Sequence, residues 1–154
     1  MKVLLLAVLF LAGCASVQDL SQSRCLPNGV PSDVVLLRTA YLYKIEGEPN
    51  ISLWDSPYTY GSGVDASGKL QMHSPPALLT LPKGSRLTVQ KVTRESHFDN
   101  PQDVIDVQGI AQTDRGRFHF VYTWGIGNKI KHAPWESEAY DPREFSRSIA
   151  ACGP

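Results

Sequence analysis

The chain has 154 residues, long enough for one domain that buries roughly two thirds of its unfolded surface. Its 15 Lys and Arg balance 15 Asp and Glu, for a formal net charge of zero, and the basic residues are scattered with no run of three. That pattern excludes the electrostatic footprint of a nucleic-acid-binding protein and argues against any strongly anionic partner.

The chain opens MKVLLLAVLFLAGC, with Lys2 ahead of an unbroken apolar run over residues 3–11. At about 1.5 Å per residue this run is far shorter than a bilayer core roughly 30 Å thick, so it cannot be an ordinary spanning helix. A positive start, a short apolar stretch and small residues before a boundary are the parts of a secretory signal. Leu11-Ala12-Gly13-Cys14 resembles the lipobox of bacterial lipoproteins. The resemblance implies that the Cys14 thiol takes a diacylglyceryl group, that residues 1–13 are removed, and that the new amino terminus is acylated, for example with palmitate. Each buried lipid CH₂ contributes roughly 0.8 kcal/mol, and two or three chains together give stable attachment. Ala15, rather than Asp, follows the cysteine, and by resemblance to enterobacterial sorting this favours the outer membrane, facing the periplasm. The competing reading is a plain secreted protein with Cys14 near its cleavage site.

Residues 14–24 are polar and read as a tether from the membrane; Pro27, Asn28, Gly29 and Pro31 mark turns, and a single β-rich domain is expected over 25–154. Residues 33–46 (DVVLLRTAYLYKIE) read as a strand, with Thr39, Tyr41, Tyr43 and Ile45 on one face and Ala40, Leu42 and Lys44 on the other. ISLW at 51–54 is a short second strand or an apolar plug, 55–68 is a loop, and 69–73 is a weak strand. A Pro82-Lys83-Gly84 turn separates apolar stretches at 78–81 and 87–92; an apolar residue, Pro-x-Gly and then alternating β-branched residues resemble the start of a strand in small SH3-like barrels.

A better marked hairpin runs from 104–112 through a turn at 113–116, with Gly116 available for a positive φ, and back along 117–124. Its returning strand puts Phe118, Phe120, Tyr122 and Trp124 on one face, which makes it the expected centre of the core. Asp141 as N-cap, Pro142 at N1, Glu144 at N3 and the Phe145/Ile149 pair predict a C-terminal helix over 142–151. The predicted fold is therefore mainly β, a small antiparallel barrel or sandwich with one C-terminal α-helix. With Cys14 committed to lipid, Cys25 and Cys152 remain as a pair in an oxidising compartment and are expected to be bonded, locking the helix to the domain's start. Loop entropy suggests about 5 kcal/mol at most for such a closure. Two free buried thiols are the alternative.

Candidate chemistry is sparse. His73, His97, His119 and His132 show no ligand spacing, so no metal or other cofactor is expected. There is no Gly-x-Ser-x-Gly elbow, and Gly61-Ser62-Gly63 lacks the Lys of a phosphate loop. Asp99, Asp103, Asp106 and Asp114 have loop and hairpin spacing rather than that of a glycosidase pair. The chain reads as a protein without catalytic activity. Trp54, Tyr58, Tyr60 and Trp135 fall in loops or at their edges, either as interface anchors or as core plugs beneath long loops. Two functions fit: a small binding or accessory module acting on an envelope protein or peptidoglycan, and an inhibitor or immunity protein that occludes a toxic or lytic enzyme with residues 58–64.

Mass spectrometry of the mature protein checks the foundation. A chain that begins at a lipid-modified Cys14, with Cys25 and Cys152 joined, is the expected result; an unmodified Cys14 contradicts the anchor.

Overall fold

The computed structural model describes residues 16–23, 26, 32–64, 67–97, 100–140, 145 and 147–149. Its centre is the hairpin that the alternation predicts. β9 (Asn100–Thr113) and β10 (Gly116–Ile126) pair antiparallel around the 113–116 turn, where Gly116 has a φ of 120°. Phe120, Tyr122 and Trp124 are buried on one face, while Phe118 packs at the margin and His119 and Thr123 face outward. Period-2 alternation on a half-buried strand produces this division.

β8 (Arg86–His97) lies on the other side of β9. A bulge between Val89 and Lys91 resets its alternation, so Leu87, Val89 and Val92 all reach the core despite their uneven spacing. The β8 edge is lined by β1 (Ser16–Asp19), opposite 93–96, and by β2 (Asp33–Val35), opposite 86–88. β1 thus lies within the segment expected to be a tether.

Residues 33–46 form two strands rather than one, β2 and β3 (Ala40–Lys44). Between them the backbone N–H groups of Leu36 and Leu37 donate to Ser85 and Pro134 carbonyls, which turns the chain from one edge of the sheet towards the other. The two faces of β3 match expectation. Ala40 and Leu42 enter the core, and Tyr41 and Tyr43 lie on the opposite side. β4 (Ile51–Trp54) pairs with β3, and β7 (Leu79–Leu81) closes that side. Part of the expected 55–68 loop is a strand, since β5 (Tyr60–Val64) and β6 (Leu70–His73) form a separate two-stranded sheet.

Two expectations are corrected. The main sheet follows the order β1-β8-β9-β10-β4-β3-β7 and is neither purely antiparallel nor closed into a barrel. β4 meets β10 in parallel through only Ile51–Phe120 and Ser52–Val121, and the path ends at β1 and β7. Nor does the C-terminal segment form the predicted helix over its described residues. β12 (Arg147–Ser148) pairs antiparallel with β11 (Lys129–Ile130), the Ile149 N–H donates to the Asn128 carbonyl, and Ile149 is buried. A lone helix of about ten residues is marginal in water, whereas the β11 edge supplies ready backbone partners. The Asp141, Pro142 and Glu144 capping residues lie outside the described residues, as do the signal at 1–13, Cys14, Cys25 and Cys152.

Gly109 sits across from Phe120, and a Cβ there would lie 2.7 Å from the ring and 2.6 Å from the Thr88 carbonyl oxygen. Both neighbours are fixed, one by the core and the other by the β8 backbone. Gly109→Ala should therefore destabilise the fold by about 1–3 kcal/mol, read as a lower urea midpoint at unchanged slope.

Candidate functional site

The free edge of β10 is shared by two strands, β4 at Phe120–Val121 and β11 at Gly125–Ile126. Two side chains from the ends of those strands meet in the interval between them. Asp55 follows β4, Lys131 follows β11, and the Lys131 Nζ lies 3.5 Å from Asp55 Oδ2. Asp55 is only 7% exposed, so its carboxylate needs compensation. The Tyr122 hydroxyl donates to Oδ2 at 3.0 Å, and Arg38, from the turn between β2 and β3, reaches the same oxygen at 3.2 Å.

Arg38 also donates to the carbonyls of His132 at 2.9 Å and Ala139 at 3.0 Å, which straps the 131–140 loop to the sheet. Lys131 stands 4.7 Å from the Tyr122 ring centre, and Trp135 meets that ring edge-on at 5.3 Å. Burial, followed by the Asp55 charge, holds the Tyr122 hydroxyl well above the ordinary phenol range. Burial lowers the Lys131 ammonium from its ordinary value, and the Asp55 charge opposes that shift.

A second clamp holds the same loop. Arg147 grips Glu136 with two bonds of 2.6 and 3.0 Å, and Glu136 Oε2 accepts from the Ala133 N–H at 2.7 Å. The Trp124 indole N–H donates to the Lys131 carbonyl at 2.8 Å.

Where β4 and β10 cease to pair, a trough of about 730 Å³ opens above this network, lined by Ser52, Trp54, Glu95, Asp106, Thr123 and Lys131 among others. Strand register assembles it. Thr123 lies opposite Asp106 and donates to its Oδ1 at 2.9 Å, while Glu95 occupies the outward position two residues along β8 from Thr93, the partner of Asp106. Burial, and then the neighbouring Glu95 charge, push the Asp106 carboxyl above its ordinary value, against the Thr123 hydrogen bond. An indole beside half-buried carboxylates and a cation can bind polar or cationic groups with an apolar face.

Two of the four aromatic candidates, Trp54 and Tyr58, meet. Trp54 lines the trough and is half-buried, with its ring 4.5 Å from Tyr58. Tyr58 is itself packed 5.7 Å from Tyr43, whose hydroxyl accepts from the Tyr58 N–H at 3.1 Å. Trp135 lies against Tyr122, and Tyr60 contributes its backbone to β5. The lipidation and disulfide residues Cys14, Cys25 and Cys152 fall outside the described residues. His73 and His119 are exposed and His132 is half-buried; among the described residues no three His, Cys, Asp or Glu come together in a group able to hold a metal ion. Glu95, Asp55, Arg38 and Lys131 carried no sequence signal of a shared site, because their convergence depends on the parallel β4–β10 contact. Asp106 was legible in part, since counting back from the 113–116 turn sets it opposite Thr123.

No family model matches the chain, and neither a curated protein nor a solved structure matches it.

The raised Asp106 carboxyl has a measurable signature. Above its folded-state range, ionisation penalises the native state more than the unfolded one; below the ordinary value of 3.8 both states are protonated and the penalty vanishes. Asp106→Asn keeps an oxygen for Thr123 and removes the charge. It should raise the thermal midpoint at neutral pH, with the gain shrinking on acidification and disappearing below that ordinary value; a midpoint that does not rise at neutral pH contradicts the assignment.

Proposed function

We propose that the protein is an outer-membrane-anchored lipoprotein facing the periplasm, and that it works as a small binding or accessory module in the cell envelope. The Leu11-Ala12-Gly13-Cys14 motif supports the location. The observation that carries the binding role is the trough that combines Trp54 with the Glu95 and Asp106 carboxylates. Asp106 is kept at a position where its own ionisation is disfavoured, and such groups gather where a protein trades stability for function. The partner is an envelope protein or peptidoglycan that presents polar groups to that indole and those carboxylates.

A second reading has its own support. β5 and β6 form their own two-stranded sheet, and Leu70 and Met72 on it are each 55% exposed. A separate hairpin with exposed apolar side chains is a form an inhibitor or immunity protein would use to occlude a toxic or lytic enzyme.

Photo-crosslinking in intact cells tests both readings together, with a photoreactive amino acid in place of Ser52 in the trough or of Met72 on the hairpin. The module reading expects one envelope adduct from position 52, lost when Trp54→Ala weakens binding by roughly thirtyfold, or about 2 kcal/mol. An adduct with a lytic or toxic enzyme from position 72 alone overturns it in favour of the inhibitor. Adducts from neither position contradict both.

A further inference from the structure

β1 begins at Ser16, which pairs with Ser96 at the end of β8 next to the β8–β9 hairpin. Ser16 is only two residues beyond Cys14, a reach of at most about 7 Å for an extended chain. The segment that would let the domain drift away from an anchor is therefore already consumed by a strand.

We propose that the end of the sheet carrying Ser16, Gln102 and Asn128 rests directly on the phospholipid head groups of the leaflet that holds the anchor. The inference builds on the lipid-anchor reading of Cys14, and the short reach between that residue and β1 commits it to one occupant. Three hydrogen bonds tie the strands together at this end. The Gly127 N–H donates to the Asp103 carbonyl at 2.7 Å, the Ser96 hydroxyl donates to Asp103 Oδ1 at 2.7 Å, and the Ile149 N–H donates to the Asn128 carbonyl at 2.9 Å.

The surface has the chemistry of a head-group contact. Ser16, Gln102, Asn128 and Lys129 are exposed polar or cationic side chains, and Val17, in the row with Glu95, is 58% exposed beside them. A single exposed apolar side chain with a polar surround suits the interfacial region rather than the acyl core.

The opposite end is distant. Asp114, at the β9–β10 turn, lies ten residues along from Val104, up to about 33 Å away at roughly 3.3 Å per residue. The trough, by contrast, starts at Glu95, one residue from the anchored row. Whatever occupies it must approach within a few residues' height of the membrane.

The test uses the full lipidated protein in vesicles of phosphatidylethanolamine and phosphatidylglycerol, with a photoreactive amino acid in place of Gln102, Asn128 or Asp114. Lipid adducts at positions 102 and 128 should exceed those at position 114 by about tenfold or more, because the separation is beyond a crosslinker's reach. Equal adducts at 102 and 114 in a chain whose mass shows the lipid overturn the orientation and leave the anchor standing. A mature chain without lipid overturns both.

Discussion

The structure depends on how one buried carboxylate is satisfied. Asp55 Oδ2 receives the Tyr122 hydroxyl and faces Arg38 and Lys131, so segments separated by tens of residues converge on a single atom. A buried charge that loses one such partner costs about 3–5 kcal/mol, because the desolvation remains after the attraction has gone. The arrangement is therefore held as a set. The same arginine that neutralises Asp55 also carries the 131–140 loop through its carbonyls, which links charge balance to the position of the loop.

The binding surface follows from the same seam. A sheet whose neighbours all run antiparallel can zip continuously, but β4 approaches β10 in parallel and parts from it after two residues. The resulting interval is filled by polar side chains on one level and left open on the next. Burial and the neighbouring Glu95 charge both oppose ionisation of Asp106 there, and the Thr123 hydroxyl offsets them in part.

Local pattern made much of the β architecture legible. Alternating aromatics from Phe118 to Trp124 and the Gly116 turn are read within a dozen residues, and β9–β10 appeared where they indicated. Pro82-Lys83-Gly84 likewise leads into β8, and Gly84 has a φ of 91°. Contacts between distant segments were not legible. Nothing in 33–46 shows that Arg38 will leave the strand to meet Asp55, and nothing near Ile51 shows that it will pair in parallel with Phe120. Over its described residues the predicted C-terminal helix is replaced by a strand for a related reason. Its capping signals are local, whereas β11 offers an edge that only the folded sheet creates. Among the aromatic candidates, composition could not separate Trp54 at the trough from Trp135 against Tyr122.

β1 and β2 carry a consequence for how the molecule avoids other copies of itself. β8 is twelve residues long and forms one border of its hairpin, and an unpaired border of that length would be a template for any passing strand. The two short strands line both ends of it, at 86–88 and 93–96, and beside the bulged middle the Val89 N–H donates to the Ser32 carbonyl and the Val92 carbonyl accepts from the Leu20 N–H. Proteins tethered to the same surface meet one another far more often than proteins free in solution. For a protein held in that way, these two strands would then act as a guard rail, keeping crowded neighbours from joining sheet to sheet.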